Sequence, residues 1–274
     1  MNKFAAVLSL FLISSLSARA ENINIDADQK VEVHQNEQKI IAVGNAVVNK
    51  KDNTIYADEM TAFYQKTPAG KTNFTSVHAK GHVRAVSPTM KAFGNTMDYD
   101  LGKEEIILIG TPAKIQNTKG ETVSADEKII YYPKDNRAVA TGNVVATDKE
   151  NNVYSDKMVS YFTKDKDGNM EMDKVNIYDH VKIVTPQAVA TSDRGTYFPK
   201  KGLVHLYDNV VINQDGNILK GDFAETDLNT GISRMLSKKN SKKRVSGVFR
   251  EKEKNDKKPQ QPVKAPEETT KNAQ

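Results

Sequence analysis

A small residue followed by aspartate recurs along the chain and is its clearest candidate for chemistry. The motif stands at Ala57-Asp58, Ala125-Asp126, Ser155-Asp156 and Gly221-Asp222. Two carboxylates that flank one bond can do acid–base work, as they do in glycosidases. A catalytic pair forms one asymmetric site, however, whereas this aspartate recurs at intervals along the chain. We therefore interpret it as a turn or hydrogen-bonding device and predict no catalytic residue.

The remaining reactive side chains form no recognisable site. The histidines are His34, His78, His82, His180 and His205. His78 and His82 would lie about 13 Å apart along a strand, too far for one metal ion, and we expect both to be exposed. The chain has neither cysteine, a Gly-x-Ser-x-Gly elbow nor a glycine-rich phosphate loop. We predict no metal ion and no cofactor.

The N-terminus reads as a cleaved export signal. Lys3 precedes an apolar run from Phe4 to Leu16, and Ala18-Arg19-Ala20 fits a small-x-small cleavage site. This predicts a signal peptide over residues 1–20, with an apolar run too short for a lasting membrane helix. Because an exported chain without cysteine has no disulfides, its stability must come from an extended hydrogen-bonded core.

The net charge of +5 belongs to the C-terminal tail. Residues 238–274 carry twelve basic against five acidic side chains, and residues 21–237 carry 26 basic against 30 acidic. A nucleic-acid-binding domain carries its basic patch on the folded body, so we expect no nucleic-acid partner. The composition of residues 251–274 predicts a disordered, Lys-rich tail. We favour a solvated tail over one that touches lipid phosphates or an anionic membrane surface.

The body between Ile23 and Ser237 is predicted to be all-β. Short apolar segments alternate with polar residues and are separated by clusters of Gly, Asn, Asp and Pro. No window keeps the 3.6-residue period of a helix. At one strand per 10–12 residues, we expect roughly 18–20 short strands.

One alternating pattern repeats along this body, and Arg137–Asp148 is its clearest copy. Gly142 lies at its centre, and the same alternate positions remain apolar on both sides of it. A glycine within such a strand predicts a bend or bulge. The counterparts of this glycine are Gly44, Gly81, Gly110, Asp179 and Asp208. The copy at Gly110 departs from the pattern because Pro112 shifts its register. Three of these positions recur 98 residues later, which predicts two tandem units at about residues 40–137 and 138–236.

The apolar side chains around these centres are mostly small. A sheet face lined by alanine and valine leaves room for a guest such as an acyl chain. Alternatively, phenylalanines from neighbouring strands fill that room, namely Phe63, Phe74, Phe93, Phe162 and Phe223. Composition does not decide between the two interpretations.

The repeated segments resemble the OstA-like family of periplasmic lipopolysaccharide-transport bridge proteins. The resemblance rests on Ile40–Tyr64, Arg137–Phe162, Ile232–Met235 and Arg244–Phe249. It implies an elongated open β-jellyroll over residues 21–250, in which short strands stack as in a solenoid. Two antiparallel sheets would form a V around an apolar groove for the acyl chains of lipopolysaccharide.

The resemblance also implies the residues that would carry the function. Those facing lipid would be Ile40, Ala42, Val48, Val77, Val83, Ile106, Leu108, Ala140, Val144, Ile177, Val181, Ile183, Leu206, Val210 and Ile212. Strands at Lys30–His34 and Val245–Phe249 would be the sheet edges, with contacts from Val31, Val33, Val245, Val248 and Phe249. They would join copies end to end and contact inner-membrane and outer-membrane transport components.

Two other functions are compatible with the pattern. One is a periplasmic β-solenoid scaffold that binds protein partners at its ends and holds no lipid. The other is a β-helix enzyme acting on polysaccharide, which needs a local acidic cluster and an aromatic cleft. Neither feature stands out in the sequence, and tryptophan is absent.

Overall fold

The computed structural model describes residues 23–166, 168, 170–237 and 244–250. The predicted signal peptide and the tail at residues 251–274 lie outside this part. The described residues form 18 strands and no helix, so none of them belongs to a helix that could cross a membrane. The strands are β1 Asn24–Asp26, β2 Lys30–His34, β3 Lys39–Lys50, β4 Asn53–Lys66, β5 Thr72–Val86, β6 Met90–Asp100, β7 Glu105–Ile109, β8 Ala113–Asn117, β9 Thr122–Ala125, β10 Lys128–Tyr132, β11 Arg137–Thr147, β12 Asn152–Lys164, β13 Met170–Val184, β14 Ala188–Phe198, β15 Leu203–Gln214, β16 Asn217–Asp227, β17 Ile232–Leu236 and β18 Ser246–Val248.

The strands form one continuous antiparallel sheet that is bent along its length into two arms. The bend follows a line of β-bulges, at which one strand has a residue more than its partner. In β11 the bulge lies between Thr141 and Val144, where Gly142 has φ +85° and Asn143 has φ +43°. The prediction that Gly142 marks a bulge is confirmed. Corresponding bulges lie in β3, β5, β13 and β15.

Each long strand passes through the bend from one arm to the other. Arm 1 has the order β2-β3-β4-β5-β6-β7-β10-β11-β12-β13-β14-β15-β16-β17, and arm 2 the order β1-β3-β4-β5-β6-β8-β9-β11-β12-β13-β14-β15-β16-β18. The predicted all-β jellyroll, with two antiparallel sheets in a V, is confirmed. Ten strands span 11–15 residues, longer than the sequence suggested, because each strand continues through its bulge.

The two halves of the chain repeat the same pairing. β3 pairs with β4 in the register in which β11 pairs with β12, and both pairs shift at the bulge. The copy around Gly110, which departs from the sequence pattern, is also irregular in the structure. β7 ends at Ile109 and β8 begins at Ala113, across a cis peptide bond between Thr111 and Pro112.

The core lies along the inner side of the bend. Pairs of residues that flank each bulge point inward and are almost fully buried: Ala42 and Ala46, Ala79 and Val83, Ala140 and Val144, Ile177 and Val181, Leu206 and Val210. Burial of one valine or leucine side chain stabilises a fold by about 1.5–3 kcal/mol. Repetition of these pairs along the bend therefore provides the extended core that a chain without disulfides requires.

Candidate lipid groove and strand edges

A partly open apolar cavity of about 520 Å³ lies between the two arms, lined mostly by the first half of the chain. Its wall begins at Ile23 and Ile25 next to the first edge strands, and it extends to Ile129 and Tyr131 in β10. Both arms contribute to the lining, Ile40 and Ala62 from arm 1 and Val48 and Ile55 from arm 2 among them. The geometry is that of a groove along the inside of the V.

Six of the predicted groove residues line this cavity. They are Ile40, Ala42, Val48, Val77, Ile106 and Leu108. Seven others are buried beside the bend and contribute to the core: Val83, Ala140, Val144, Ile177, Val181, Leu206 and Val210. Ile183 and Ile212 are partly buried and pack against that core. Ala42 flanks a bulge and also lines the cavity, whereas Ile40, Val48, Val77 and Ile106 lie farther out along the arms.

Three methionines that are not among the predicted groove residues also line the cavity, namely Met60, Met97 and Met170. The flexible thioether side chain adapts to irregular apolar shapes, which suits a wall for variable hydrocarbon chains. A sequence signal for Met60 did exist. Met60 and Met158 are 98 residues apart, at equivalent positions of the repeat, and both are buried.

Aromatic side chains occupy only part of the groove. Phe74 lines the cavity and contacts Tyr64 edge to face, and Phe162 is buried in the core. Phe63 is exposed, and Phe223 packs instead against His205 and Tyr207. Phenylalanine therefore narrows the groove without filling it.

Tyr131 brings a polar group to the cavity wall. Its ring is 3% exposed, and burial raises the pKa of its phenol to about 12. Burial also raises the pKa of Tyr197 in β14. Both phenols therefore stay neutral at physiological pH. A neutral phenol adds no charge to the apolar wall beside which it lies.

The recurrent aspartate acts at the outer side of the bend. Five aspartates lie there, three from the predicted motif together with Asp28 and Asp193, and each carboxylate accepts a hydrogen bond from the second residue of the neighbouring bulge or contacts its imidazole. The pairs are Asp28 with Asn45 at 2.7 Å, Asp58 with His82 at 2.8 Å, Asp126 with Asn143 at 3.0 Å, Asp156 with His180 at 2.8 Å and Asp193 with Asn209 at 2.8 Å. The predicted hydrogen-bonding role is confirmed for Asp58, Asp126 and Asp156, whereas Asp222, the fourth aspartate of the predicted motif, is buried.

The histidines are spread over four strands, β2, β5, β13 and β15. His78 contacts Asp98 and His82 contacts Asp58, and both side chains are exposed, as the sequence predicted. In the part of the chain that the structure describes, no three His, Asp or Glu side chains converge as metal ligands would.

Both ends of the V expose unpaired strand edges with apolar side chains. At the first end, β1 and β2 pair with β3 and with no other strand that the structure describes, and Val31 and Val33 are exposed. At the last end, β17 and β18 pair, within the described residues, only with β16, which makes β17 a second edge that the sequence did not predict. The exposed side chains there are Ile232, Leu236, Val245, Val248 and Phe249. The predicted edge residues thus lie on or beside edge strands.

The family described as "LptA/(LptD N-terminal domain) LPS transport protein" matches this chain twice, at residues 24–136 and at residues 122–232. This chain belongs to that family. The family consists of transport proteins and not of enzymes, in agreement with the prediction of no catalytic site. The two matches begin 98 residues apart, the spacing at which the strand pairing repeats.

Among solved structures, the chain is similar to LptH from Pseudomonas aeruginosa, described as the LptA-homologous periplasmic component of the conserved lipopolysaccharide transport device. The likeness covers 84% of this chain and 96% of that one, at 13% sequence identity and a TM-score of 0.22. At that score it supports no structural argument. No curated protein matches this chain.

Proposed function

We propose that this protein is an LptA-type periplasmic carrier that binds lipopolysaccharide through its acyl chains. Membership of the lipopolysaccharide-transport family supports the substrate class. The observation that carries the proposal is the apolar cavity between the arms, because it offers hydrocarbon-lined space in an otherwise close-packed sheet structure.

Burial of hydrocarbon provides the binding energy in this proposal. Each methylene group that leaves water contributes about 0.8 kcal/mol, so even part of one acyl chain would bind without specific polar contacts. Movement in one direction would need energy from another component, since the sequence has no phosphate-binding loop.

Bridging of the inner and outer membranes is the second part of the proposal. Edge strands with exposed backbone groups and apolar side chains can be extended by a strand from another chain. β1 and β2 at one end and β17 and β18 at the other suit this role. Copies would join end to end, and terminal copies would meet inner-membrane and outer-membrane transport components. Residues 1–20 would direct export, and the body would consist of two units of about 98 residues.

Ile106 and Ile107 provide a matched pair for the test, because they are adjacent, half-buried and on opposite faces of β7. Ile106 lines the cavity, whereas Ile107 lies on the outer face. Ile106→Asp should lower the lipopolysaccharide that co-purifies from the periplasm at least about tenfold, since a carboxylate would stand in the apolar wall. Ile107→Asp should leave it unchanged. Equal lipid content in both variants would refute the groove.

The scaffold interpretation predicts a different outcome. A lipid-free scaffold would still associate end to end, and native mass spectrometry of the wild-type chain would show protein copies with no bound lipid.

A further inference from the structure

In the middle of the chain, two interrupted strands pair side by side, and we call this pairing the internal joint. Each interrupted strand contributes one segment to each arm, and we call its two segments a layer. β7 and β8 form one layer, broken at residues 110–112, and β9 and β10 form the next, broken at residues 126–127. The two layers pair with each other, β7 with β10 in arm 1 and β8 with β9 in arm 2. The two family matches overlap at this joint.

The first end of the molecule has the same structure as one side of this joint. β1 and β2 precede β9 and β10 by 98 residues and pair with β3 in the register in which β9 and β10 pair with β11. Val31 lies opposite Ala42 just as Ile129 lies opposite Ala140. The first end is therefore half of a joint.

The last end has the structure of the other side. β17 and β18 run from arm 1 to arm 2 and pair with β16, as β7 and β8 do with β6. Leu108 lies opposite Met97, and Met235 lies opposite Ala224. Both Met97 and Ala224 are buried and point inward.

The exposed valines at the first end indicate that this end lacks a covering strand. Val31 and Val33 are 47% and 57% exposed, whereas their counterparts Ile129 and Tyr131 are 2% and 3% exposed. Ile129 and Tyr131 are covered because β7 lies beside them. A strand equivalent to β7 would cover the two valines in the same way.

We propose that the last end of one copy binds the first end of the next in the register of the internal joint, an inference that rests on the proposed end-to-end assembly. In the joint, Leu108 lies opposite Ile129 and Ile107 opposite Ile130. Transfer of this register places Met235 opposite Val31, and Arg234 opposite Glu32, of the next copy.

The chemistry of these pairs suits the register. Met235 and Val31 both face inward, so they extend the apolar wall from one copy to the next. Arg234 and Glu32 lie on the outer face with opposite charge, and such pairs favour a given register. Arg234 already binds Glu225 on the neighbouring strand at 2.9 Å, so the joint would continue an alternating row of charges.

In arm 2 the register of the internal joint would pair β18 of one copy with β1 of the next. Ala113 lies opposite Ala125 and Lys114 opposite Ser124 in the internal joint. The equivalent pairs between copies are Val245 with Ala27 and Ser246 with Asp26. A serine hydroxyl can donate a hydrogen bond to an aspartate, and the exposed Val245 would be covered by the next copy.

Disulfide cross-linking tests this register cleanly because the chain has no cysteine. The two ends of one copy lie 13 strand spacings apart, or about 60 Å, so any cross-link joins two copies. The variant Glu32→Cys with Arg234→Cys places both sulfurs on directly opposite residues, within the range that a disulfide spans. Mild oxidation of this full-length exported chain should produce a ladder of covalent multimers.

The control variants combine Glu32→Cys with Ile232→Cys or with Leu236→Cys. Both positions are exposed on the same face of β17 but are displaced by two residues, about 7–8 Å from the partner. The Arg234→Cys pair should cross-link at least about fivefold faster than either control. Faster cross-linking of a control would overturn the register and leave assembly intact. A monomeric chain without cross-links in all three variants would overturn both.

Discussion

The imidazole of His180 lies against the carboxylate of Asp156 on the outer side of the bend, with 2.8 Å between Nδ1 and Oδ2. The hydrogen bond to Asp156 and its negative charge raise the pKa of His180 above the ordinary histidine value. Because a raised pKa favours the protonated form, the contact stabilises the fold below the ordinary pKa of histidine. This stabilisation is lost as the pH rises through the raised pKa.

The first prediction is that Asp156→Asn lowers the pKa of His180 toward its ordinary value, since the charge and the charge-assisted bond are both lost. NMR titration of the imidazole resonances measures this directly. Asp58→Asn provides the control, because it removes the equivalent partner from His82 and leaves His180 untouched. An unchanged titration of His180 in Asp156→Asn would contradict the assigned contact.

The second prediction concerns the glycine of the bulge. Gly142→Ala should destabilise the fold more than Gly120→Ala, although both glycines have positive φ. Backbone strain costs each variant about 1–2 kcal/mol. At Gly142 the new Cβ would also lie 2.5 Å from Cγ of Glu127 and 2.7 Å from its backbone nitrogen, whereas at Gly120 it would meet nothing within 4 Å. We expect a further loss of about 1–3 kcal/mol.

Urea unfolding of both glycine variants measures the difference. Equal losses of unfolding free energy would show that the close approach at the bend does not constrain the fold.

The sequence predicted the strands, the bulge at Gly142 and the repeat, because alternation and turn residues are local signals. It did not predict how deep each apolar residue lies. Val144 and Ile40 have the same inward parity, yet Val144 is fully buried at the bend and Ile40 lines the cavity. Depth depends on distance from the bend and on the opposite arm, which are properties of the assembled fold. For the same reason Val144→Asp would test folding and not lipid binding.

The ends of the molecule illustrate a second limit. The family resemblance predicted the edge strand at Lys30–His34, which is β2, and Val245–Phe249 marked the position of β18. The sequence does not predict β17 as an edge, although Ile232–Met235 contributes to the family resemblance, because its edge position depends on which strands pair with β16. Leu108 and Met235, 127 residues apart, occupy equivalent positions, and this equivalence is visible only in the assembled sheet, where Leu108 lies opposite Met97 and Met235 opposite Ala224.

The third prediction concerns the charges at the proposed joint. Glu32→Arg and Arg234→Glu should each weaken association between copies, and the double variant should restore it, because opposite charges again face each other. An exposed pair of this kind contributes up to about 1 kcal/mol, so each single change should raise the dissociation constant about fivefold. Sedimentation velocity at low salt measures the association. If the double variant associates no more strongly than the single variants, residues other than Glu32 and Arg234 lie opposite each other at the joint.

The most direct test of the proposed function is photo-cross-linking inside the groove. A photoreactive benzophenone amino acid replaces Ile40, which lines the cavity, or Ile41, the next residue on the outer face of the same strand. Irradiation of cells should yield lipopolysaccharide adducts of the Ile40 variant, and few or none of the Ile41 variant. Adducts at Ile41 in place of Ile40, or equal adducts at both, would contradict a carrier that holds acyl chains between its two arms.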